Sequence, residues 1–222
     1  MDMKEAMSER HMVRKYLDKE IPPEIVEKLN SRIAENNSKY GLDIQLQLND
    51  SSAFSPIIKL ILAKGVRNFL IMAGDDNTEL DEKLGYSGAD LMLYAQILGL
   101  NTWWVGGTFN RKLMTEIAAG KKVVGVIAVG YGQNQGVPHK TKDQTDVSSF
   151  EGEKPEWFID GVKAALLAPT ALAKQAFFIK GSEHKVELTC NNGVFTGVDK
   201  GLVKYHFELG AGKENFKWAK FV

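Results

Sequence analysis

Two arginines four residues apart, in Arg10-His11-Met12-Val13-Arg14, are the groups in this chain best suited to holding an anion. A guanidinium presents a fixed fork of donors that matches phosphate oxygens. Read as a helical turn, the stretch places residues i and i+4 on one face, so both forks converge on one ligand with His11 between them. The same residue types also suit a solvated basic patch. The stretch is expected to open the ordered part of the chain.

Three further segments carry possible chemistry. Gly106-Gly107 follows Trp103-Trp104-Val105. Without a Cβ, adjacent glycines let a planar group lie against the backbone and leave their N–H groups free to donate; a tight turn between helices is the ordinary alternative. Ala168-Pro169-Thr170-Ala171-Leu172-Ala173-Lys174-Gln175-Ala176-Phe177 reads, on pattern alone, as a helix stopped by proline and followed by a strand. Pro138-His139-Lys140-Thr141-Lys142 is a basic loop after Gly130-Tyr131-Gly132.

Other chemistries find little support. Gly130-x-Gly132-x-x-x-Gly136 loosely follows a dinucleotide-binding pattern, but its spacing is one residue too long and Val137-Pro138 follows where a helix should open. The histidines are His11, His139, His184 and His206, and none pairs at i, i+4 with another His or Cys, so no metal site is expected. No Ser/His/Asp nucleophile context is present. Lys+Arg and Asp+Glu balance at 28 each, which argues against a general nucleic-acid binder. The one cysteine, Cys190, forbids an internal disulfide and suits a reducing cytosol. No apolar run approaches the ~20 residues that span a bilayer. The first residues include Asp2 and Glu5 and no apolar core of a leader, so a cytoplasmic chain without membrane contact is expected.

The elements that must position these segments follow from periodicity. Pro22-Pro23 opens a helix read to Asn36, with Ile25, Val26, Leu29 and Ile33 at helical spacing. Ile44, Leu46 and Leu48 alternate with glutamines as a half-buried strand, and Ile57–Val66 suggests a short helix. Asn68–Ala73 and Val123–Val129 are continuous apolar runs, hence buried strands. Between them Ser87–Leu98 is apolar around most of its circumference, which predicts a central buried helix stopped at Gly99. Asn110 can cap a short helix. Residues 131–155 are loop-like. Beyond them come a helix over Trp157–Leu167, paired strands Ala176–Lys180 and Lys185–Cys190, and a helix over Asp199–Leu209 closed by Gly210. The order helix, strand, strand, helix therefore occurs twice, in halves 1–130 and 156–222 joined by 131–155. Alternation of this kind is also common without duplication.

The four segments, in this order, resemble the nitroreductase family of FMN proteins. The first resembles that family's Arg-x-Ser-x-Arg segment, with Met12 in place of the usual serine. The third resembles Ala-Pro-Ser-(Ala/Ser)-x-Asn-x-Gln-Pro-Trp, with Pro169, Ala171 and Gln175 matching and Thr170 keeping the hydroxyl. Ala173, Ala176 and Phe177 depart from it. The position of this segment near residue 170, together with Asp199-Lys200-Gly201-Leu202 and His206-Phe207-Glu208-Leu209-Gly210 near the end, is similar to a single-chain subgroup typified by thermophile proteins of about this length. The resemblance implies an α+β fold with a mixed sheet flanked by helices and two related halves in one chain. It implies FMN, with Arg10, His11, Met12 and Arg14 at its phosphate and ribityl chain and Lys140 and Lys142 completing the phosphate site. Gly106 and Gly107 would lie at flavin N5 and O4, and Pro169, Thr170, Ala171 and Gln175 along the ring. The implied activity is NAD(P)H-driven reduction of a nitroaromatic, quinone or similar small-molecule acceptor, with no catalytic acid or base named. A flavin-binding storage or sensing protein is the alternative. One chain is expected to complete one site, so a monomer is possible and a homodimer is not excluded.

Overall fold

The structure, a computed structural model, describes residues 1–220. Order begins before the arginine pair. Helix α1, Met3–Glu9, is held by a capping box in which the Asp2 carboxylate accepts the Glu5 N–H and the Glu5 carboxylate accepts the Asp2 N–H, both at 2.8 Å. This helix stops at Arg10, whose backbone is extended. The expected helical turn over Arg10–Arg14 is therefore corrected: the segment is strand-like, with Met12 bridging to Thr102 and the Val13 N–H donating to the Thr102 carbonyl at 3.2 Å. Val13 is buried there, and that burial draws the segment against a sheet edge. Alternation on an extended segment still sends Arg10, Met12 and Arg14 to a common side.

The first sheet contains β1 (Gln45–Gln47), β2 (Phe69–Gly74), β3 (Asn101–Val105) and β4 (Lys122–Gly130) in the order β1-β2-β4-β3, with every pairing antiparallel. All of β2 and eight of the nine β4 residues are buried, as their unbroken apolar runs require. Strand β3 has no counterpart in the sequence reading. The second sheet contains β5 (Ser148–Glu151), β6 (Phe177–Ser182), β7 (Lys185–Cys190) and β8 (Lys217–Trp218) in that order. The β6–β7 hairpin is antiparallel, and β5 and β8 add in parallel on its two sides, so this sheet is mixed. The stretch 131–155 is not all loop: it holds a short helix, α6 (Gln144–Val147), as well as β5.

Helix α2 (Pro23–Tyr40) runs past the expected stop at Asn36 to Gly41, which has φ 66°. Asn36 and Asn37 do not end it because their side chains bond outward, Asn36 to Asp90 and Asn37 to both backbone groups of Ile44. Short helices α3 (Pro56–Ile61) and α5 (Arg111–Ile117) border the first sheet. The central helix α4 (Leu80–Ile97) begins seven residues before Ser87, because Leu80 and Leu84 continue its buried surface. Helix α7 (Glu156–Ala165) and helix α8 (Thr196–Ala211) complete the second half. Helix α8 runs through Gly210 instead of ending there, since a Cβ at 210 would stand 2.4 Å from the Ala164 Cβ of α7.

The halves meet where α4 crosses α8. A Cβ on Gly85 would come within 2.2 Å of the Val198 carbonyl oxygen, and one on Gly201 within 2.1 Å of the Glu82 carbonyl oxygen. Two glycines thus permit a backbone-to-backbone approach that no other residue allows. Around this crossing one apolar core takes in Leu70, Met72, Leu91 and Ile127 from the first half and Phe158, Ile179, Val186 and Phe207 from the second.

Candidate functional site

A cavity of about 620 Å³ opens between the halves. Its walls come from the Arg10–Arg14 segment, from β3 and the turn after it, from Val137–His139, from Pro169–Ala173, and from the first turns of α8. Of the residues singled out in the sequence, Arg10, His11, Met12, Arg14, Gly106, Pro169, Thr170 and Ala171 line it. Gly107, Lys140, Lys142 and Gln175 are not part of its lining.

Arg10 dominates the electrostatics. It is 5% exposed, and among the described residues its guanidinium has neither an acidic partner nor a hydrogen bond. Burial lowers its pKa to about 10, so it remains a cation near neutral pH. A desolvated charge without a partner is costly, and the arrangement is stable only if the cavity supplies an anion or enough water. Arg14 is exposed, lies with its guanidinium 5.2 Å from the centre of the Trp103 ring, and makes no salt bridge among the described residues. His11, half-buried beside Arg10, has its pKa lowered by burial and then by that positive charge. At this end the cavity is an uncompensated positive site.

The glycine pair follows directly on β3. Arg111, the first residue of α5, donates to the Gly106 carbonyl at 3.2 Å and also to the Val123 carbonyl. In a trans peptide the C=O and the next N–H point in opposite directions, so the Gly107 N–H is directed away from Arg111. Among the described residues that N–H has no acceptor. Gly106 is required by a protein contact: a Cβ there would stand 2.4 Å from the Phe195 ring. A Cβ on Gly107 would meet nothing within 4 Å.

The segment from Pro169 to Gln175 is a strained turn. Leu172, Ala173 and Gln175 all have positive φ, at 55°, 52° and 47°. Strain of this kind persists only where surrounding bonds over-determine it. Here the Gln175 N–H donates to Thr170 Oγ1 at 3.0 Å, and the Ala171 N–H donates to Asp199 Oδ1 at 2.9 Å. The Gln175 amide accepts from the Lys142 N–H at 2.8 Å and donates to the Leu166 carbonyl at 2.8 Å, while the Lys142 ammonium donates to the Gln175 carbonyl at 2.9 Å. His139 Nε2 lies 3.0 Å from both the Gln175 amide nitrogen and the Leu166 carbonyl, which ties the ring to the same network. Lys142 and Gln175 thus form a clamp behind the cavity wall, and Lys140 is exposed.

Several lining groups escaped the sequence reading. Trp103, Trp104 and Phe195 give the walls aromatic surface, and Asp199 is the one carboxylate among the described lining residues. Burial pushes Asp199 up to about 6, against the smaller opposing effect of the Ala171 N–H. In the sequence Asp199 opens a helix and belongs to the Asp199-Lys200-Gly201-Leu202 segment, without a site role; nothing local signals its desolvation. Among the described residues no group of His, Cys, Asp and Glu could hold a metal ion, and no helix is long and apolar enough to cross a membrane.

Three solved structures share the fold. A chain described as a "putative nitroreductase" from Thermotoga maritima superposes with a TM-score of 0.73 at 19% identity, over 96% of this chain and 85% of that one. A "putative NAD(P)H:FMN oxidoreductase" from Staphylococcus epidermidis gives 0.53 at 15% identity, over 68% of this chain and 96% of its own. A nitroreductase-like family protein from Bacillus cereus gives 0.51 at 16%, over 66% and 94%. No curated protein matches the sequence significantly. The family model described as "Putative TM nitroreductase" matches residues 2–211, nearly the whole chain, and with that match this α+β protein belongs to that nitroreductase family of oxidoreductases.

Proposed function

We propose that the cavity binds FMN and that the protein is an NAD(P)H-dependent reductase of nitroaromatic, quinone or similar small acceptors. The observation that carries this reading is the buried, unpaired guanidinium of Arg10 in a cavity whose walls come from both halves. A phosphate supplies the missing charge, and a planar ring fits an aromatic-walled space of about 620 Å³, within the range usual for cofactor sites. When bound, the flavin supplies the hydride chemistry.

The chain's own residues do the rest. Arg10 and Arg14 hold the anionic end, with Met12 between them as apolar contact. The Gly107 N–H, just behind the lining residue Gly106 and without an acceptor among the described residues, is the backbone donor available to the ring's polar edge. Pro169, Thr170 and Ala171 form the opposite wall, kept in shape by the Gln175–Lys142 clamp. One phosphate site without a second diphosphate loop favours FMN over FAD. Since one chain contributes every wall, one flavin per chain is expected and a second chain is not required. The Staphylococcus epidermidis chain described as a "putative NAD(P)H:FMN oxidoreductase" supports the same choice.

A flavin-storage or sensing role is favoured by one observation: Met12 and Ala173 line the cavity where relatives are expected to carry a hydroxyl and an amide. One experiment separates the readings. The purified protein is reconstituted with flavin, its visible spectrum recorded, the released flavin chromatographed, and bleaching by NADH or NADPH followed. Bound FMN with rapid bleaching supports the reductase; FMN with slow bleaching supports storage or sensing; FAD or no flavin overturns both.

A further inference from the structure

Asp199 lies between the two segments read as touching the flavin ring. One turn earlier, at the N-cap of α8, Phe195 packs against Gly106. On the other side, Asp199 Oδ1 holds the Ala171 N–H. Residues 195 and 199 share a helix face, so Asp199 is the carboxyl that α8 presents to this part of the cavity. Among the described residues its second oxygen has no partner, and no cation pairs with it.

Reduction of a quinone to a quinol takes up two electrons and two protons. A hydride delivers both electrons and one proton; the second proton must come from an acid. Resting on the reading of the cavity as an FMN site whose reductant is NAD(P)H, we propose that Asp199 is that acid. Its O–H bond breaks, the proton forms the O–H bond of the quinol on the oxygen that carries the developing negative charge, and the carboxylate left behind is reprotonated from water.

The surroundings suit the role. Burial holds the carboxyl at about 6, within reach of protonation near neutral pH. Cys190 on β7, which interacts with it, has its thiol pushed up to about 12 and stays neutral. Lys200 and Lys204 of α8 are both committed to Glu82 of α4. Among the described residues the other titratable groups of the cavity wall are Arg10, His11, Arg14 and His139, and burial, not their charge, governs Asp199.

The test uses Asp199→Asn, which keeps an oxygen for the Ala171 N–H and removes the proton, and Asp199→Glu, which restores an acid. FMN affinity is measured first. The rate of bleaching by NAD(P)H is measured next, so that re-oxidation is compared between proteins equally loaded with reduced FMN. Re-oxidation of the reduced proteins by benzoquinone is then followed against pH. The wild-type rate is expected to fall about tenfold per pH unit above its break and to show a solvent deuterium effect. Asp199→Asn should be slow and flat, and Asp199→Glu should recover the slope. Independently of turnover, carboxyl-carbon NMR of the flavin-free chain should find one aspartate titrating near 6 that Asp199→Asn lacks. An Asp199→Asn profile like that of wild type, or no such titration, overturns the proposal. Wild type that binds no FMN overturns the flavin reading first, and this proposal with it.

Discussion

Asp90 and Asp199 stand on the two helices that join the halves, α4 and α8, and each is drawn out of water. Asp90, 4% exposed, accepts two bonds from Arg32 at 2.6 and 2.8 Å, one from Asn36 at 2.8 Å and one from the Tyr205 hydroxyl at 2.7 Å. Among the described residues, Asp199 accepts one backbone N–H and meets no cation. The arginines divide the same way. Arg32 has its pKa raised by the Asp90 bond, whereas Arg10 has its pKa lowered by burial with no acid among the described residues to answer it. A cluster whose donors and acceptors all find one another ties α2, α4 and α8 together. A cluster left open, facing a cavity, waits for groups that the chain does not supply. Polarity in this protein is thus divided between groups that fix the fold and groups available to a ligand, and the sign of a mutation's effect on stability should tell them apart.

The largest effect is expected from Arg32→Ala. It leaves the Asp90 carboxylate buried with two neutral donors, and breaking such a pair costs about 3–5 kcal/mol. For a domain of this size the midpoint of thermal unfolding should fall by roughly 6–20 °C, while FMN affinity measured on the folded protein stays unchanged. A loss of affinity without a loss of stability would erase the distinction.

Arg10→Met should do the opposite. A charge-assisted contact to phosphate contributes about 1.5–3 kcal/mol, so FMN affinity should drop on the order of 10- to 150-fold. Stability of the flavin-free chain should hold or rise, because an unpaired buried cation has been removed. Flavin titration and a melting curve together check both signs.

Asp199→Asn is expected to have a smaller effect that depends on pH. The folded pKa of about 6 lies above the ordinary carboxylate value, so the native state holds this proton more tightly than the unfolded chain does. Stability from this group is therefore fully present below about pH 4 and is lost as pH rises through about 6. The variant should be more stable than wild type by about 1–2 kcal/mol at neutral pH, with allowance for screening of a partly exposed group, and equal to it in acid. Denaturant melts at the two pH values measure the difference.

The smallest effect is expected from Lys142→Met. Although cationic and near the cavity, Lys142 spends its ammonium on the Gln175 carbonyl. FMN affinity should stay within about twofold, since only a partly exposed charge-assisted bond to a backbone carbonyl, worth about 1 kcal/mol of local order after solvent screening, is lost. A tenfold loss of affinity would return Lys142 to the phosphate site.

Much of this architecture is legible along the chain because it depends on local pattern. The apolar runs of β2 and β4 can only be doubly covered strands, the alternation in Lys185–Cys190 marks one half of a hairpin, and Gly99, at φ 78°, ends α4 as its position suggests. The segments carrying Arg10–Arg14, Gly106 and Pro169–Ala171 were likewise recognisable from residue types in order, and the fold brings them to one cavity. Tertiary structure alone decided the rest. Strand β3 forms because β4 offers an edge to Asn101–Val105, and β5 forms because β6 offers one to Ser148–Glu151; neither stretch has a periodicity of its own long enough to read. Arg10–Arg14 became extended because Val13 buries against that same β3. Lys142 and Gln175 turned inward to each other because the turn between them and the wall had backbone groups to satisfy. Whether a charge is paired or left open, as for Asp90 and Asp199, depends on which surfaces the α4–α8 crossing desolvates, and desolvation belongs to the packed molecule, not to any stretch of its sequence.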